Sequence, residues 1–170
     1  MKTYQKGQSD NDLMSMPIEV GGRNYIYNSN VTISSEKHLF ENYISKNANY
    51  FRGKTVTLSV DVELLNAVEQ GNNRIGFEVS ITYNDGTNQY LRCWHHLKDG
   101  NSVKKRISNS YTIYDKEIIG LNAGIHVQIG GEVTSVGKPK LELGTIPTDW
   151  TPAPEDIEAR LKALEEKVGL

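Results

Sequence analysis

Strict alternation of apolar and polar residues is the feature that most constrains this chain. The segment TVTLSVDVELL (55–65) places its apolar residues at every second position, and RIGFEVSITY (74–83) repeats the pattern. A period of two is that of a β-strand with one face buried and the other in water. The chain is therefore predicted to fold mainly as β-sheet, with each strand contributing one side to a common core.

Asp-Gly turns join these strands and indicate antiparallel pairing. NDGT (84–87) separates 74–83 from a return strand at 88–97, and KDGN (98–101) follows as a second turn of the same kind. Further strands are predicted at 103–107, 111–114, 121–129 and 133–143, whereas residues 35–52 are expected to be irregular. Two packed antiparallel sheets would bury one face of every strand. A jelly-roll β-sandwich is the favoured all-β fold, with another β-sandwich as the alternative.

The 170 residues suit one domain with appendages. Residues 1–22 are polar and are interpreted as an arm or linker, 23–150 as the sandwich, and 151–170 as a helix. In that helix the apolar residues have the 4-3-4 spacing of a coiled-coil seam: Ile157, Leu161, Leu164 and Val168. The helix either packs back on its own sandwich or associates with copies of itself, for which a trimer is favoured.

Charge and hydropathy exclude several partners. The net charge of −2 argues against nucleic acid. The one dense basic run, KKR (104–106), is interpreted as a solvated strand edge or turn. No apolar run reaches the ~20 residues that span a bilayer, so no membrane partner is expected. The first 17 residues lack the apolar segment of a signal peptide, so synthesis in a cytoplasm is predicted.

Catalytic and metal motifs are absent from the sequence. Cys93 is the single cysteine and is expected to be a buried structural thiol. The four histidines lack metal-ligand spacing, and adjacent His95 and His96 must point to opposite faces of a strand. Carboxylate pairs for glycoside hydrolysis stay open as a hypothesis, with Asp61, Glu63 and Glu78 as candidates. We predict a protein that is not an enzyme and has no metal site.

Strand parity instead predicts a binding face. If Leu91 and Cys93 point into the core, the alternate residues of 88–97 must point outward. The neighbouring strands would add Glu78 and, from 121–129, two further polar side chains. The candidate ligand-binding residues are therefore Trp94, Tyr90, Arg92, His96, His126, Gln128 and Glu78.

Such a face suits a sugar. The C–H groups of a pyranose pack on an aromatic ring, here Trp94, and its hydroxyls bind planar side chains such as Arg92 and Gln128. The alternative is that a loop, such as 35–52, covers Trp94, in which case the indole only contributes packing.

Three motifs resemble elements of one family. The segment GKPKLELGTIPTDWTPAPEDIEARLKAL (137–164) contains a closing strand of the type K-x-E-x-G followed by T-x-W-x-P-x-P-E-D. GGRNYIYNSN (21–30) is similar to that family's first strand, and GKTVTLSVDVE (53–63) to its first long core strand. Together they resemble the carbohydrate-binding-module-like jelly-roll domains of tail and baseplate proteins from bacteriophages of Gram-positive hosts.

The resemblance implies a non-catalytic module of the virion tail that binds host cell-wall polysaccharide beside other phage tail proteins. Some relatives hold a structural calcium ion, but no ligand cluster in this sequence identifies one, and no other cofactor is expected. Two alternatives remain: a structural tail or baseplate adaptor or spacer without glycan binding, and a polysaccharide-degrading domain that uses Glu78 or Asp61.

Overall fold

The computed structural model describes residues 22–40 and 48–169, so the predicted arm lies outside it except for Gly22. Two short 3₁₀ turns, at Ala48–Phe51 and Leu97–Asp99, accompany the regular elements. Within the described ranges the elements in chain order are β1 (Thr32–Ile33), β2 (Lys37–Phe40), β3 (Thr55–Leu65), β4 (Arg74–Tyr83), β5 (Asn88–His96), β6 (Val103–Thr112), β7 (Ile118–Gln128), β8 (Val133–Leu143) and α1 (Pro154–Val168).

Two four-stranded antiparallel sheets form the body. Their strand orders are β1-β8-β3-β6 and β2-β7-β4-β5, so most successive strands alternate between the sheets. This arrangement is a jelly roll, and the prediction of a β-sandwich followed by a C-terminal helix is confirmed. We call the two layers the β8 sheet and the β7 sheet.

The long alternating segments fold as predicted, and the short ones do not. The bounds of β3, β4 and β8 match their predictions, whereas the two strands predicted between 103 and 114 are one strand, β6. β2 lies in the segment expected to be irregular, because four residues are too few for the alternation to be recognised. The first strand predicted within 21–30 is also wrong: residues 27–28 form a turn, in which Asn28 adopts a φ of +53°.

The core lies between the sheets and is built from alternate residues. Apolar side chains from β3, β4, β5, β7 and β8 are almost completely buried there. Cys93 is among them, as expected. β4 buries the side chains of one face along its whole length, which is why its sequence alternates over ten residues.

The outer face of the β8 sheet is covered in part by the chain itself. Four polar residues that lie on this face are fully buried: Thr57, Ser59, Lys140 and Glu142. The Nζ of Lys140 donates to Thr148 Oγ1 and to the Asp149 carbonyl, both at 2.7 Å. Glu142 accepts from the backbone N–H of Thr148 at 2.8 Å and from its hydroxyl at 2.6 Å. Residues 145–153, which we call the crossing, therefore pack on this sheet.

Burial of Lys140 has an electrostatic cost that its neighbour reduces. Burial lowers the pKa of Lys140, because the charged form loses its hydration, and the Glu142 carboxylate opposes that shift. The ammonium nitrogen lies 3.7 Å from a Glu142 oxygen. The K-x-E spacing of the sequence motif thus supplies an ion pair that holds the crossing through hydrogen bonds on both side chains.

Asn24 connects the N-terminal segment, β8 and the crossing. Its Nδ2 lies 2.9 Å from Ser29 Oγ and 2.9 Å from the Thr151 carbonyl. Its Oδ1 accepts from the backbone N–H of Ile26 at 3.0 Å. Ser29 Oγ also accepts from Trp150 Nε1 at 3.1 Å. The two terminal sequence motifs are therefore two halves of one hydrogen-bonded structure.

Among the described residues, helix α1 is attached to the sandwich through its first turn. The Asp156 carboxylate accepts the backbone N–H of Asn28 at 2.9 and 3.0 Å, and Glu155 pairs with Arg23. No residue of α1 in the described range is buried. The apolar seam is 55–69% exposed, so the alternative in which it packs on its own sandwich is wrong: Ile157, Leu161, Leu164 and Val168.

We expect Asn24→Ala to lower the free energy of unfolding by about 2–4 kcal/mol, because several buried donors and acceptors lose their partner. Urea denaturation followed by circular dichroism measures the change. Asn30→Ala is the control, since Asn30 is exposed and nearby. Equal stability of the two variants would contradict the central role given to Asn24.

Candidate functional site

The outer face of the β7 sheet is accessible to solvent, whereas that of the β8 sheet is partly covered. Every residue with a side chain at its described outward positions is at least partly exposed. We call this surface the aromatic face. Its residues are Lys37, Leu39, Arg74, Glu78, Ser80, Thr82, Asn88, Tyr90, Arg92, Trp94, His96, Asn122, His126 and Gln128.

The parity prediction is confirmed, because all seven predicted ligand-binding residues lie on this face. Three cross-strand rows contain six of them. His96, Arg74 and Gln128 form one row; Trp94, Gly76 and His126 form the next; Arg92 and Glu78 lie in the third. Tyr90 lies opposite Ser80. The fold therefore brings the seven side chains together on one side of three adjacent strands.

Trp94 is held against the sheet surface. The indole centroid lies 5.5 Å from that of the His126 ring, with a tilt of 59°, and the Arg74 guanidinium lies 4.5 Å from the indole. Its Nε1 is covered and has no acceptor among the described residues, so the exposed part of the half-buried indole is carbon. Residues 41–47, part of the loop that would cover Trp94 in the alternative interpretation, lie outside the described structure.

Gly76 is required for this arrangement. A Cβ at position 76 would lie 2.1 Å from the carbonyl oxygen of Cys93, a distance that real side chains do not tolerate. The missing side chain also lets the rings of Trp94 and His126 meet across the strand. A glycine on an otherwise polar outer face is thus a structural requirement of the site.

Tyr90 and Arg92 extend the site along the edge strand β5. Arg92 Nε donates to Glu78 Oε2 at 2.9 Å, and its guanidinium lies 4.8 Å from the Tyr90 ring. Tyr90 is 48% exposed. Tyr90 and Trp94 are four residues apart, which is about 13 Å along a strand. The two aromatic rings can therefore contact different units of one extended ligand.

A groove of 340 Å³ adjoins the face where β5 and β6 form the open edge of the sandwich. Its walls include Arg92, Trp94 and His96 from β5. From β6, Asn109 Nδ2 and the Tyr111 hydroxyl donate to the Arg92 carbonyl at 3.2 and 2.7 Å. Sequence reasoning missed these β6 residues, since they belong to the other sheet and only the fold brings them close.

Two cations of the face were also missed. Arg74 has the same parity as Glu78 in β4, so the alternation in RIGFEVSITY could have identified it. Its Nε donates to Gln128 Oε1 at 2.8 Å. Lys37 lies opposite His126 in the β2–β7 ladder. No sequence signal identified Lys37, because β2 itself was not recognised.

His126 and His95 lie in different surroundings, one on the aromatic face and one inside the protein. Burial lowers the pKa of His126, Lys37 and Arg74 lower it further, and Glu78 opposes them. His95 points to the opposite side from His96, as predicted, and is buried with its Nε2 2.9 Å from the Gly100 carbonyl. His95 is therefore a structural residue.

Glu78 lies on the opposite sheet from the other two carboxylates of the degradation hypothesis. Asp61 and Glu63 are on the outer face of the β8 sheet, paired with Arg106 at 2.7 Å and Lys104 at 3.1 Å. Glu78 is the one carboxylate among the described outward positions of the aromatic face. Hydrolysis by two carboxylates requires both to flank one bond. Lys104 and Arg106 belong to the KKR run, which lies on the exposed edge strand β6, as expected.

Burial raises the pKa of the Cys93 thiol to about 12, which leaves it protonated and unreactive. Across 22–40 and 48–169 there is no group of three or more His, Cys, Asp or Glu residues placed to hold a metal ion. No helix in those ranges is long and apolar enough to cross a membrane.

The fold and the site define a class: a jelly-roll β-sandwich with one accessible outer face that combines aromatic and hydrogen-bonding side chains. No protein-family model matches the chain, and no curated protein matches it. Several solved structures are similar to it.

One is the tripod from the baseplate of bacteriophage Tuc2009, with 18% identity and a TM-score of 0.46 over 79% of this chain and 59% of that chain. Another is the C-terminal family 22 carbohydrate-binding module of Clostridium thermocellum Xyn10B, with 15% identity and a TM-score of 0.36 over 66% of each chain. A xylan-binding domain of the same module family has 14% identity and a TM-score of 0.33, over 57% of this chain and 58% of that one. The chain thus spans less than two thirds of each of these structures, and likeness at this level gives no information about ligand or assembly.

An NMR titration should give His126 a pKa below its ordinary value of 6.5, because burial disfavours the charged ring. Glu78→Gln should lower it further, since the carboxylate that stabilises the imidazolium is lost. Because the pKa of His126 is lower in the folded protein, the unfolded chain binds the proton more readily. The neutral ring therefore contributes to stability above the unfolded pKa, and this contribution is lost as the pH falls through the folded pKa.

His126→Asn identifies the resonance, and Glu63→Gln on the opposite face is the matched control that should leave the titration unchanged. A His126 pKa at or above 6.5, or an equal response to both glutamine variants, would be inconsistent with the described surroundings of this ring.

Proposed function

We propose that this chain is a non-catalytic carbohydrate-binding module of a phage tail or baseplate protein, and that it adheres to host cell-wall saccharide. The protein would then act in the virion, after synthesis in the host cytoplasm. The aromatic face is the observation that carries the proposal.

The chemistry of the face matches that of a saccharide. Carbon surface of Trp94 and the exposed ring of Tyr90 suit the apolar C–H faces of pyranose rings. Arg92 and Glu78, aligned by their mutual hydrogen bond, and Gln128 offer planar donors and acceptors to hydroxyls. Because these groups belong to a rigid sheet, they need little ordering on binding, which favours affinity.

The sequence resemblance supports the same role independently of the face. The motifs at both ends of the sandwich resemble those of phage tail and baseplate modules, and in the structure they attach α1 to the sandwich. A role in binding, without hydrolysis, agrees with the single carboxylate at the described positions of the aromatic face.

We expect Trp94→Ala to weaken binding to purified cell-wall polysaccharide of Gram-positive bacteria by about tenfold or more, since the aromatic platform is lost. Titration calorimetry or a glycan array measures the effect. Tyr114→Ala is the control, because Tyr114 is a similarly exposed aromatic residue that lies beyond β6 and outside the face.

Unchanged affinity in Trp94→Ala, with the fold intact by circular dichroism, would place the binding site elsewhere. Equal loss in the two alanine variants would point to a general effect on the protein instead of a local one.

Self-association through α1 is the second part of the proposal. The helix carries a coiled-coil seam whose four apolar residues are exposed in the single chain, and two heptads alone are marginal in water. Copies of the chain would supply the missing apolar surface, and a trimer is favoured. Several saccharide sites on one stalk would convert weak contacts into avidity.

The seam predicts a concentration-dependent oligomer in sedimentation velocity. Leu161→Asp combined with Leu164→Asp should give a monomer at every concentration, because two charges would enter the apolar seam. Lys162→Ala is the control, as this exposed position lies off the seam. Identical sedimentation of wild type and the double variant would contradict self-association through α1.

A structural adaptor is the alternative function. The observation that favours it is the attachment of α1, whose first turn is fixed to the sandwich by Asp156 and Glu155 and would set the direction of a stalk. An adaptor would bind no glycan at millimolar sugar and would form a stable complex with another tail protein. The binding assays above therefore separate the two functions.

A further inference from the structure

The aromatic face has more positive charge than its own carboxylates can neutralise. Its described positions carry three permanent cations, Lys37, Arg74 and Arg92, and one carboxylate, Glu78. Glu78 pairs with Arg92. Within the described residues neither Lys37 nor Arg74 pairs with a carboxylate. The excess does not follow from composition, because the whole chain has a net charge of −2.

The opposite side of the sandwich is different. There two cations of the basic run have carboxylate partners, with Lys104 bound to Glu63 at 3.1 Å and Arg106 bound to Asp61 at 2.7 Å. On the aromatic face, two of the three cations at the described positions lack such a partner, and both belong to one part of the face.

That part is centred on His126. Lys37 lies directly opposite His126 on β2, and Arg74 lies on β4, the other neighbour of β7. Two strand spacings separate β2 from β4, and Arg74 lies two residues along β4 from the row of Lys37, so the two cations start about 12 Å apart on either side of the histidine. Both are close enough to disfavour protonation of its ring.

Arg74 is oriented for a ligand. Its Nε–H bond to Gln128 and its position over the indole of Trp94 fix the plane of the guanidinium. The terminal N–H groups form the planar fork that binds carboxylate or phosphate in a bidentate manner. A neutral sugar would use some of these donors but would leave both positive charges uncompensated.

We propose that Lys37, Arg74 and His126 form an anion subsite, and that the ligand of the aromatic face is a saccharide bearing acidic groups, either carboxylate or phosphate. This inference rests on the proposed function and adds the charge class of its ligand. Trp94 lies beside the subsite, so one sugar unit could pack on the indole while an acidic group on it or on its neighbour binds Arg74.

Matched polymers test the subsite on the full chain by calorimetry at 50 and 300 mM NaCl. The probes are polygalacturonate with its methyl-esterified form, and phosphomannan with the mannan left after phosphate removal. We expect at least one acidic polymer to bind about tenfold or more tightly than its neutral partner, and to bind more weakly at the higher salt concentration. The pair that shows the difference identifies the acidic group.

Lys37→Ala combined with Arg74→Gln should remove that preference, whereas Lys104→Ala combined with Lys105→Ala on the other sheet should retain it. Circular dichroism confirms that both variants are folded. Equal binding of acidic and neutral polymers, or equal effects of the two double variants, would overturn the subsite and leave saccharide binding standing. Absence of binding to all four polymers and to cell-wall polysaccharide would overturn both.

Discussion

One buried amide, that of Asn24, connects the parts of this structure that are farthest apart in sequence. It bonds to the N-terminal segment and to the crossing, while the ion pair of Lys140 and Glu142 holds the crossing on β8. A buried polar group that loses its partner is costly, so these contacts favour a single path for the chain. Because the crossing follows that path, the first turn of α1 reaches Asn28 and the helix leaves the sandwich in a fixed position.

The same contacts make the two sides of the sandwich unequal. The outer face of the β8 sheet is partly covered by the chain itself, so Thr57 and Ser59 are inaccessible to solvent. The outer face of the β7 sheet keeps its side chains accessible and carries the aromatic and cationic groups. The attachment of α1 and the proposed binding surface therefore lie on opposite layers, and neither needs to change for the other to vary. A purely structural spacer would not require this concentration of aromatic rings beside uncompensated cations.

Much of this architecture could be predicted from the sequence, because alternation over ten residues determines which side of a strand is buried. That rule placed Trp94 and its companions on one face. It could not find β2, and with it Lys37, since four residues show no clear period. It could not show that Lys140 and Glu142 are covered, because the register shifts between Ser59 and Asp61 and the covering segment is irregular. The contacts of Trp94 with Arg74 and His126 depend on the neighbours of β4, which only the three-dimensional fold determines.

Gly76 has a consequence for how such a module can diversify. The surrounding outward positions contribute little to the core, so their replacement would alter ligand preference at small cost to folding. At position 76 any side chain would collide with the backbone of β5. Under the proposed function, variants with a changed ligand should therefore accumulate substitutions around this glycine while the glycine itself is retained.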